Sequence, residues 1–435
     1  MDYFQYRERI LHAEAVPLTD LAEAVGTPFY VYASATLRRH YRVFTDAFAG
    51  LDALTCFAVK ANGNLAVIAT LARLGAGADV VSGGELESAL AAGVPPARIV
   101  FSGVGKSERE LKAALAADIL QINVESVPEL EALSRIACSV GATARIALRI
   151  NPDVDAQTHA KITTGVREAK FGIEWTAAHQ VYARAAALPG LQPVGIAVHI
   201  GSQLTATEPF ADAFHRLRDL VTMLRRDGHT IATLDLGGGL GVPYGDEAAP
   251  IPGPQAYADV IRHTVGDLGC RLILEPGRLL VANAGILVTR VLYVKEGATR
   301  TFVIVDAGMN DLVRPAMYGA HHAILPVVSQ SDDDGEMVAD VVGPICETSD
   351  TFATACTLPP LHAGDLLAIR TAGAYGSSMG SFYNARPLCP EVLVADAGYA
   401  VVRERIPWQV LLSWQRLPGW LAPAAGEGHG QAGGR

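Results

Sequence analysis

The chain has 435 residues, of which half are hydrophobic and only 18% charged, against about 25% charged in an ordinary soluble domain. That excludes a disordered chain and leaves one large barrel with a further domain, or two to three domains of about 150 residues each. A net charge of −10 has the wrong sign for nucleic acid or an anionic membrane surface, so no nucleic acid and no membrane is expected as partner, and a small molecule is.

The opening residues MDYFQYRERI carry acids and aromatics where an export signal needs a basic start and an apolar stretch. No run of about 18 apolar residues follows, so a cytoplasmic protein is expected. TPFYVYA (27–33) has strand character. From about residue 53 a rhythm sets in of short apolar run, loop with Gly, Ser or Asn, and Ala/Leu-rich stretch. The predicted strands are ALTCFAVK (53–60), ADVVS (78–82), RIVFSG (98–103), ILQINV (119–124), ARIALRI (144–150), PVGIAVHI (193–200), TLDLGG (233–238) and RLILEP (271–276). Segments between them, such as LAVIATLARLG and GELESALAAG, repeat apolar residues at three- and four-residue spacing, as helices covering a parallel sheet do. Eight such units predict a closed (β/α)8 barrel over residues 34–277. The rival is an open doubly wound sheet, but no GxGxxG opens its first helix. One connection, 151–173, is longer than about 12 residues, a length that is usually functional.

Past Pro276 the pattern changes to short alternating runs separated by Gly, Asp and Pro, which read as an antiparallel β-domain over 278–420. Residues 1–33 are assigned to it as well, with a free N-terminal arm as the alternative, and 421–435 to a Gly-rich disordered tail. The six cysteines never come as CxxC, so neither a disulfide framework nor a metal site is expected. Taken singly, each reads as a small buried hydrophobe.

Barrel chemistry sits at the C-terminal ends of the strands. Lys60, one of only six lysines, closes the first strand, where partial desolvation would lower its pKa and make it a Schiff-base nucleophile. The plain alternative is a lysine snorkelling to solvent. Lys106 competes weakly, because its neighbours look like an exposed loop and helix cap. The sixth strand ends in His199, suited to stack on a planar ligand, and Ser202, suited to a phosphate, although a lone histidine is more often a core residue. Gly237, Gly238 and Gly239 after the seventh let backbone N–H groups approach a phosphate closely, or form a plain tight turn. The eighth ends in Glu275, facing inward, then Gly277 and Arg278. One lysine, one phosphate cradle and one inward acid are what pyridoxal 5′-phosphate requires.

The strings AVKAN (58–62), HIGSQ (199–203), DLGGGLG (235–241), EPGR (275–278) and GPICETSD (343–350) resemble the pyridoxal-phosphate-dependent basic amino-acid decarboxylases of the alanine racemase-like fold, called fold type III. Within that family, DAGMNDLVRPAMYGAHHAI (306–324) and AGAYGSSMGSFYNARP (372–387) resemble the diaminopimelate decarboxylase branch, and the likeness runs from about residue 25 to 415. The resemblance implies that Lys60 forms the internal aldimine, His199 stacks on the ring and Glu275 faces its nitrogen. Asp79 and Ser82 would line the cofactor side. Ser202, the amides of Gly238, Gly239, Gly277 and Arg278, and the Tyr375 hydroxyl would hold the phosphate. Arg278, Arg314, Tyr318 and Tyr375 would contact the substrate meso-diaminopimelate, with Glu347 on its distal ammonium. Cys346 would deliver the proton from the partner subunit of a homodimer whose active sites are shared across the interface. Phe382 stands where the family often has Asn, which bears on the packing near Tyr383.

An arginine fork with a carboxylate matches a substrate bearing both a distal carboxylate and a distal amine, although each arginine alone could be a surface residue. The implied reaction is decarboxylation of meso-diaminopimelate to L-lysine and CO2, the last step of lysine biosynthesis. The alternatives are a decarboxylase of another basic amino acid or of carboxynorspermidine, a racemase, or a non-catalytic carrier of the cofactor. A racemase of this fold would carry a tyrosine near Cys346, and a carrier needs no proton donor.

Overall fold

The computed structural model describes residues 2–155, 170–245, 250–330 and 335–421. Most of the long connection, 156–169, and the tail beyond 421 lie outside these residues.

Eight parallel strands close on themselves in sequence order. They are Ala53–Ala58, Gly77–Val80, Ile99–Phe101, Gln121–Val124, Ala144–Asn151, Leu191–Ala197, Thr233–Asp235 and Arg271–Leu274. The eighth hydrogen-bonds back to the first, with Leu272 beside Ala53, and this closure excludes the open sheet. Most of the predicted strands ran two or three residues too far at their C-terminal ends. Those residues, Lys60 and Glu275 among them, turn out of the sheet to face the mouth.

Local sequence starts the helices that wrap the barrel. Ser82, Ser107 and Ser126 each stand three residues before a glutamate, and each Oγ accepts the N–H of that glutamate, at 3.2, 3.4 and 3.3 Å. Such caps stabilise a helix start by about 1 kcal/mol each. Ser82 thus serves as a helix cap just past the end of the second strand. Lys106 also departs from its sequence reading. Its side chain is fully buried, and its Nζ donates to the carbonyls of Gly103 and Asn123 at 2.7 Å and to Glu129 at 2.8 Å.

A polar chain crosses the barrel interior. Thr233 donates to Gln121 at 2.9 Å, Gln121 to Asn123 at 2.8 Å, and Asn123 to Asp235 at 2.8 Å. Each member is satisfied by the next, which is the condition for burying polar groups.

In the second domain the 12-residue strand Gly285–Glu296 pairs antiparallel with Phe29–Ala33, Thr301–Val305 and Leu366–Ile369. Phe29–Ala33 is buried throughout, so this N-terminal segment lies inside the sheet and is no free arm. Two pairings in this mostly antiparallel sheet are parallel: Glu391–Ala395 on Phe29–Ala33, and Met337–Val342 on Thr301–Val305. Alternating runs alone cannot show strand direction. The two domains meet above the first barrel strand, where Asn62 donates to the Gly373 carbonyl at 3.0 Å and the Tyr375 N–H to the Ala61 carbonyl at 2.8 Å. Among the described residues no helix is long and apolar enough to cross a membrane.

Candidate active site

The loops that follow the barrel strands, joined by Tyr375 from the second domain, bring most of the sequence-predicted residues together at one end of the barrel. Lys60, His199, Ser202, Gly238, Gly239, Glu275, Gly277, Arg278 and Tyr375 line a single pocket. A cavity of about 390 Å³ shares Lys60, His199 and Glu275 and extends to Arg149, Phe171 and Asp235.

Lys60 lies on the turn Val59–Ala61, and its Nζ donates to Asp79 Oδ2 at 2.8 Å. The expectation of a lowered pKa is overturned. Burial does pull the lysine down, but the carboxylates of Asp79 and Glu275 outweigh it and raise it above its ordinary value. Asp79 is the next-to-last residue of the second strand and is fully buried. His199 Nδ1 accepts the Gly238 N–H at 3.2 Å, which leaves the ring hydrogen on Nε2. Burial, with Arg149 and Lys60 nearby, holds this imidazole neutral, well below its usual pKa.

Glu275 is buried beside Asp235. Burial and the neighbouring Asp235 and Asp79 raise the Glu275 carboxyl well above the ordinary carboxylate range. Burial pushes Asp235 up to about 6. The pair therefore holds a proton where isolated carboxyls would have lost theirs. Asp235 is fixed by Asn123 at 2.8 Å and by the Gly237 N–H at 3.1 Å.

The glycines permit close approach. A Cβ on Gly238 would stand 2.1 Å from the Glu275 carbonyl, and one on Gly239, at φ +113°, 2.4 Å from the Gly201 carbonyl. Tyr375 holds φ +54°, a conformation rare outside glycine and retained mostly at functional positions. Arg278 and Arg314 are buried, each 6% exposed, and are not surface residues. Arg278 donates to Tyr244 Oη at 2.6 Å and to Ser202 Oγ at 3.1 Å. Its guanidinium lies 4.9 Å from the Tyr375 ring centroid, and that of Arg314 lies 5.1 and 5.9 Å from Tyr244 and Tyr318.

Cys346 and Glu347 do not join this pocket within one chain. Both are exposed on a loop of the second domain. The Cys346 N–H donates to Asn384 Oδ1 at 3.1 Å, and the Tyr383 hydroxyl to Glu347. Phe382 is half-buried just before this contact. Of the other cysteines, Cys56, Cys270 and Cys389 are buried as expected, whereas Cys138 is exposed and Cys356 intermediate.

Tyr244, His322, Arg149 and Asp235 went unread in the sequence. Arg149, in the fifth strand, donates to Glu125 at 2.8 Å and lies 5.0 Å from the Phe171 ring centroid. Position within a barrel strand was the available signal for Arg149 and Asp235, since Asp235 is the last residue of its strand and Arg149 lies two residues before the end of its own.

The residues present fit pyridoxal 5′-phosphate on two observations. Glu275 Oε1, Asp79 Oδ1 and Arg278 Nε are buried polar atoms with no hydrogen-bond partner among the described residues. Gly238 and Gly239 line the same pocket without side chains, held where a Cβ would collide with the Glu275 and Gly201 carbonyls. Residues 34–282 match the family described as pyridoxal-dependent decarboxylase, pyridoxal binding domain, which defines the class of the barrel.

Relatives narrow the class. The chain is 47% identical over 421 residues to the diaminopimelate decarboxylase of Zymomonas mobilis, covering 96% of this chain and 99% of that protein. It is 51% identical over 417 residues to that of Pseudomonas aeruginosa, with the same coverage of 96% and 99%. Among solved structures, the Helicobacter pylori diaminopimelate decarboxylase complexed with L-lysine is 43% identical, with TM-score 0.87 over 91% of this chain and 98% of that one. The chain belongs to the diaminopimelate decarboxylase family of carboxy-lyases.

Proposed function

We propose that this chain decarboxylates meso-2,6-diaminopimelate to L-lysine and CO2 with pyridoxal 5′-phosphate, in a homodimer that shares its active sites. The observation that carries this reading is the convergence of Lys60, His199, Glu275 and the Gly238 and Gly239 cradle on one pocket, next to two buried arginines.

Ser202, Tyr375 and the amides of Gly238, Gly239, Gly277 and Arg278 hold the phosphate. His199 would face the ring, Asp79 and Glu275 would anchor the cofactor side, and Lys60 would be the amine that takes the aldehyde. When bound, pyridoxal 5′-phosphate supplies the electron sink for the pair left on carbon as CO2 departs. Glu275, whose carboxyl is pushed up by burial and by Asp235, would face the ring nitrogen and share a proton with it. Arg314, with Arg278, Tyr318 and Tyr375, takes the distal carboxylate, and Glu347 of a second copy the distal ammonium. These contacts orient the scissile bond. The same copy would bring the Cys346 thiol to donate a proton to that carbon. The exposure of Cys346 and Glu347 and their absence from the pocket lining support an origin in a second chain.

A panel of meso-, LL- and DD-diaminopimelate, lysine, ornithine and arginine, read by CO2 release, tests the reading. Release from the meso isomer alone is expected. Preferred release from lysine, ornithine or arginine would overturn it.

A further inference from the structure

Arg314 is 6% exposed and lies against aromatic rings, and among the described residues no carboxylate pairs with it. A buried cation in such surroundings favours an anionic ligand. Its orientation has an identifiable cause. The Arg314 Nε–H donates to His322 Nε2 at 3.3 Å, and His322 Nδ1 lies 2.9 Å from the Arg370 carbonyl oxygen. A carbonyl only accepts, so the ring hydrogen sits on Nδ1 and the lone pair faces Arg314. His322 is 1% exposed and packs edge-on against Tyr244, with ring centroids 5.2 Å apart. The Arg314 terminal nitrogens make no hydrogen bond among the described residues, whereas both of those on Arg278 are engaged.

We propose that His322 is a positioning residue: locked by the Arg370 carbonyl, its neutral imidazole fixes Nε of Arg314 and presents the two terminal nitrogens as a fork for the distal carboxylate of the substrate. This rests on the reading of Arg314 given under Proposed function. A neutral acceptor suits the task, because a carboxylate at this place would neutralise the fork and compete for it. An imidazolium could not accept at all. Burial, with Arg314, His321 and Arg278 close by and outweighing the Arg370 carbonyl, pushes His322 down to about 3, so it stays neutral at working pH.

The test uses two ligands that differ only in the carboxylate: L-lysine and 1,5-diaminopentane. In His322→Leu holoenzyme the inhibition constant of L-lysine should rise roughly tenfold and that of 1,5-diaminopentane stay within about twofold, because only the first uses the fork. KM for meso-diaminopimelate should rise by a similar factor, with a smaller change in kcat. His322→Gln, which returns an acceptor, should recover most of the loss, and an unchanged cofactor absorbance shows an intact pocket. Should His322→Leu fail to fold, His322→Phe keeps the ring plane and carries the same test. Equal weakening of both ligands, or of neither, overturns the inference. Arg314→Ala separates the two claims. If it shifts the preference between these ligands while the His322 variants do not, the inference fails and the reading of Arg314 stands. If it does not, that reading fails and takes the inference with it.

Discussion

Lys60 and Cys346 occupy opposite surroundings in one chain. Lys60 lies at a barrel mouth where strands one, two and eight bring Asp79 and Glu275 to it, all inside a closed sheet. Cys346 stands exposed on a loop of the second domain, steadied through its backbone by Asn384. The first group is complete before any partner arrives, and the second has chemistry without a pocket. A single fold can therefore carry two unlike halves of the proposed site, which we propose a second copy of the chain joins.

The largest effect should come from the buried half. Lys60→Ala should lower kcat by at least about 10⁴-fold, because both covalent attachment and proton handling at that atom are lost. Borohydride treatment of the wild-type holoenzyme should fix the cofactor on Lys60, as read by peptide mass spectrometry. Label on another lysine would break the assignment. Cys346→Ala should slow turnover by roughly 10² to 10³, the range of a lost general acid, with cofactor absorbance unchanged. If both properties fell together, the exposed half would be part of cofactor binding.

Asp235→Asn sharpens the buried half through pH. Asp235 is held in the fold up to about 6, above the roughly 3.9 of an unfolded aspartate. Its contribution to stability is thus present at low pH and is lost as pH rises through about 6. The melting temperature of Asp235→Asn apoprotein should fall less between pH 4 and 6.5 than that of wild type. A parallel fall would mean that the carboxyl is not strained by burial. Asn384→Ala should have the smallest effect, a change in kcat of about two- to fivefold, since it removes one hydrogen bond to a loop. Loss of cofactor binding in that variant would contradict the separation of the halves.

What the sequence made legible follows from how local each signal is. Strand spacing and Ser-x-x-Glu caps lie within a dozen residues, and the barrel was readable to within a few residues at each strand end. The glycine loops and Lys60 were readable for the same reason, because strand ends converge in a barrel whatever the details. The sign of the Lys60 pKa was not, since Asp79 and Glu275 come from other strands. Lys106 sits in GKSE, which looks exposed, and only the fold shows Glu129 and two carbonyls closing around it. Tyr244 and His322 escaped because their partners are far apart in the chain and share no period: Arg278 and Arg314 open two short helices, and Arg370 follows a strand. Parallel pairing of Glu391–Ala395 with Phe29–Ala33 links residues some 360 apart, beyond any local pattern.

Mixing two inactive chains, Lys60→Ala and Cys346→Ala, under conditions that allow subunit exchange tests the shared site most directly. A symmetric dimer with shared sites predicts recovery of roughly a quarter of wild-type activity at equal mixing, since half the dimers are mixed and each holds one intact site. Complete subunit exchange without recovery would contradict the account and place Lys60 and its proton donor in the same chain.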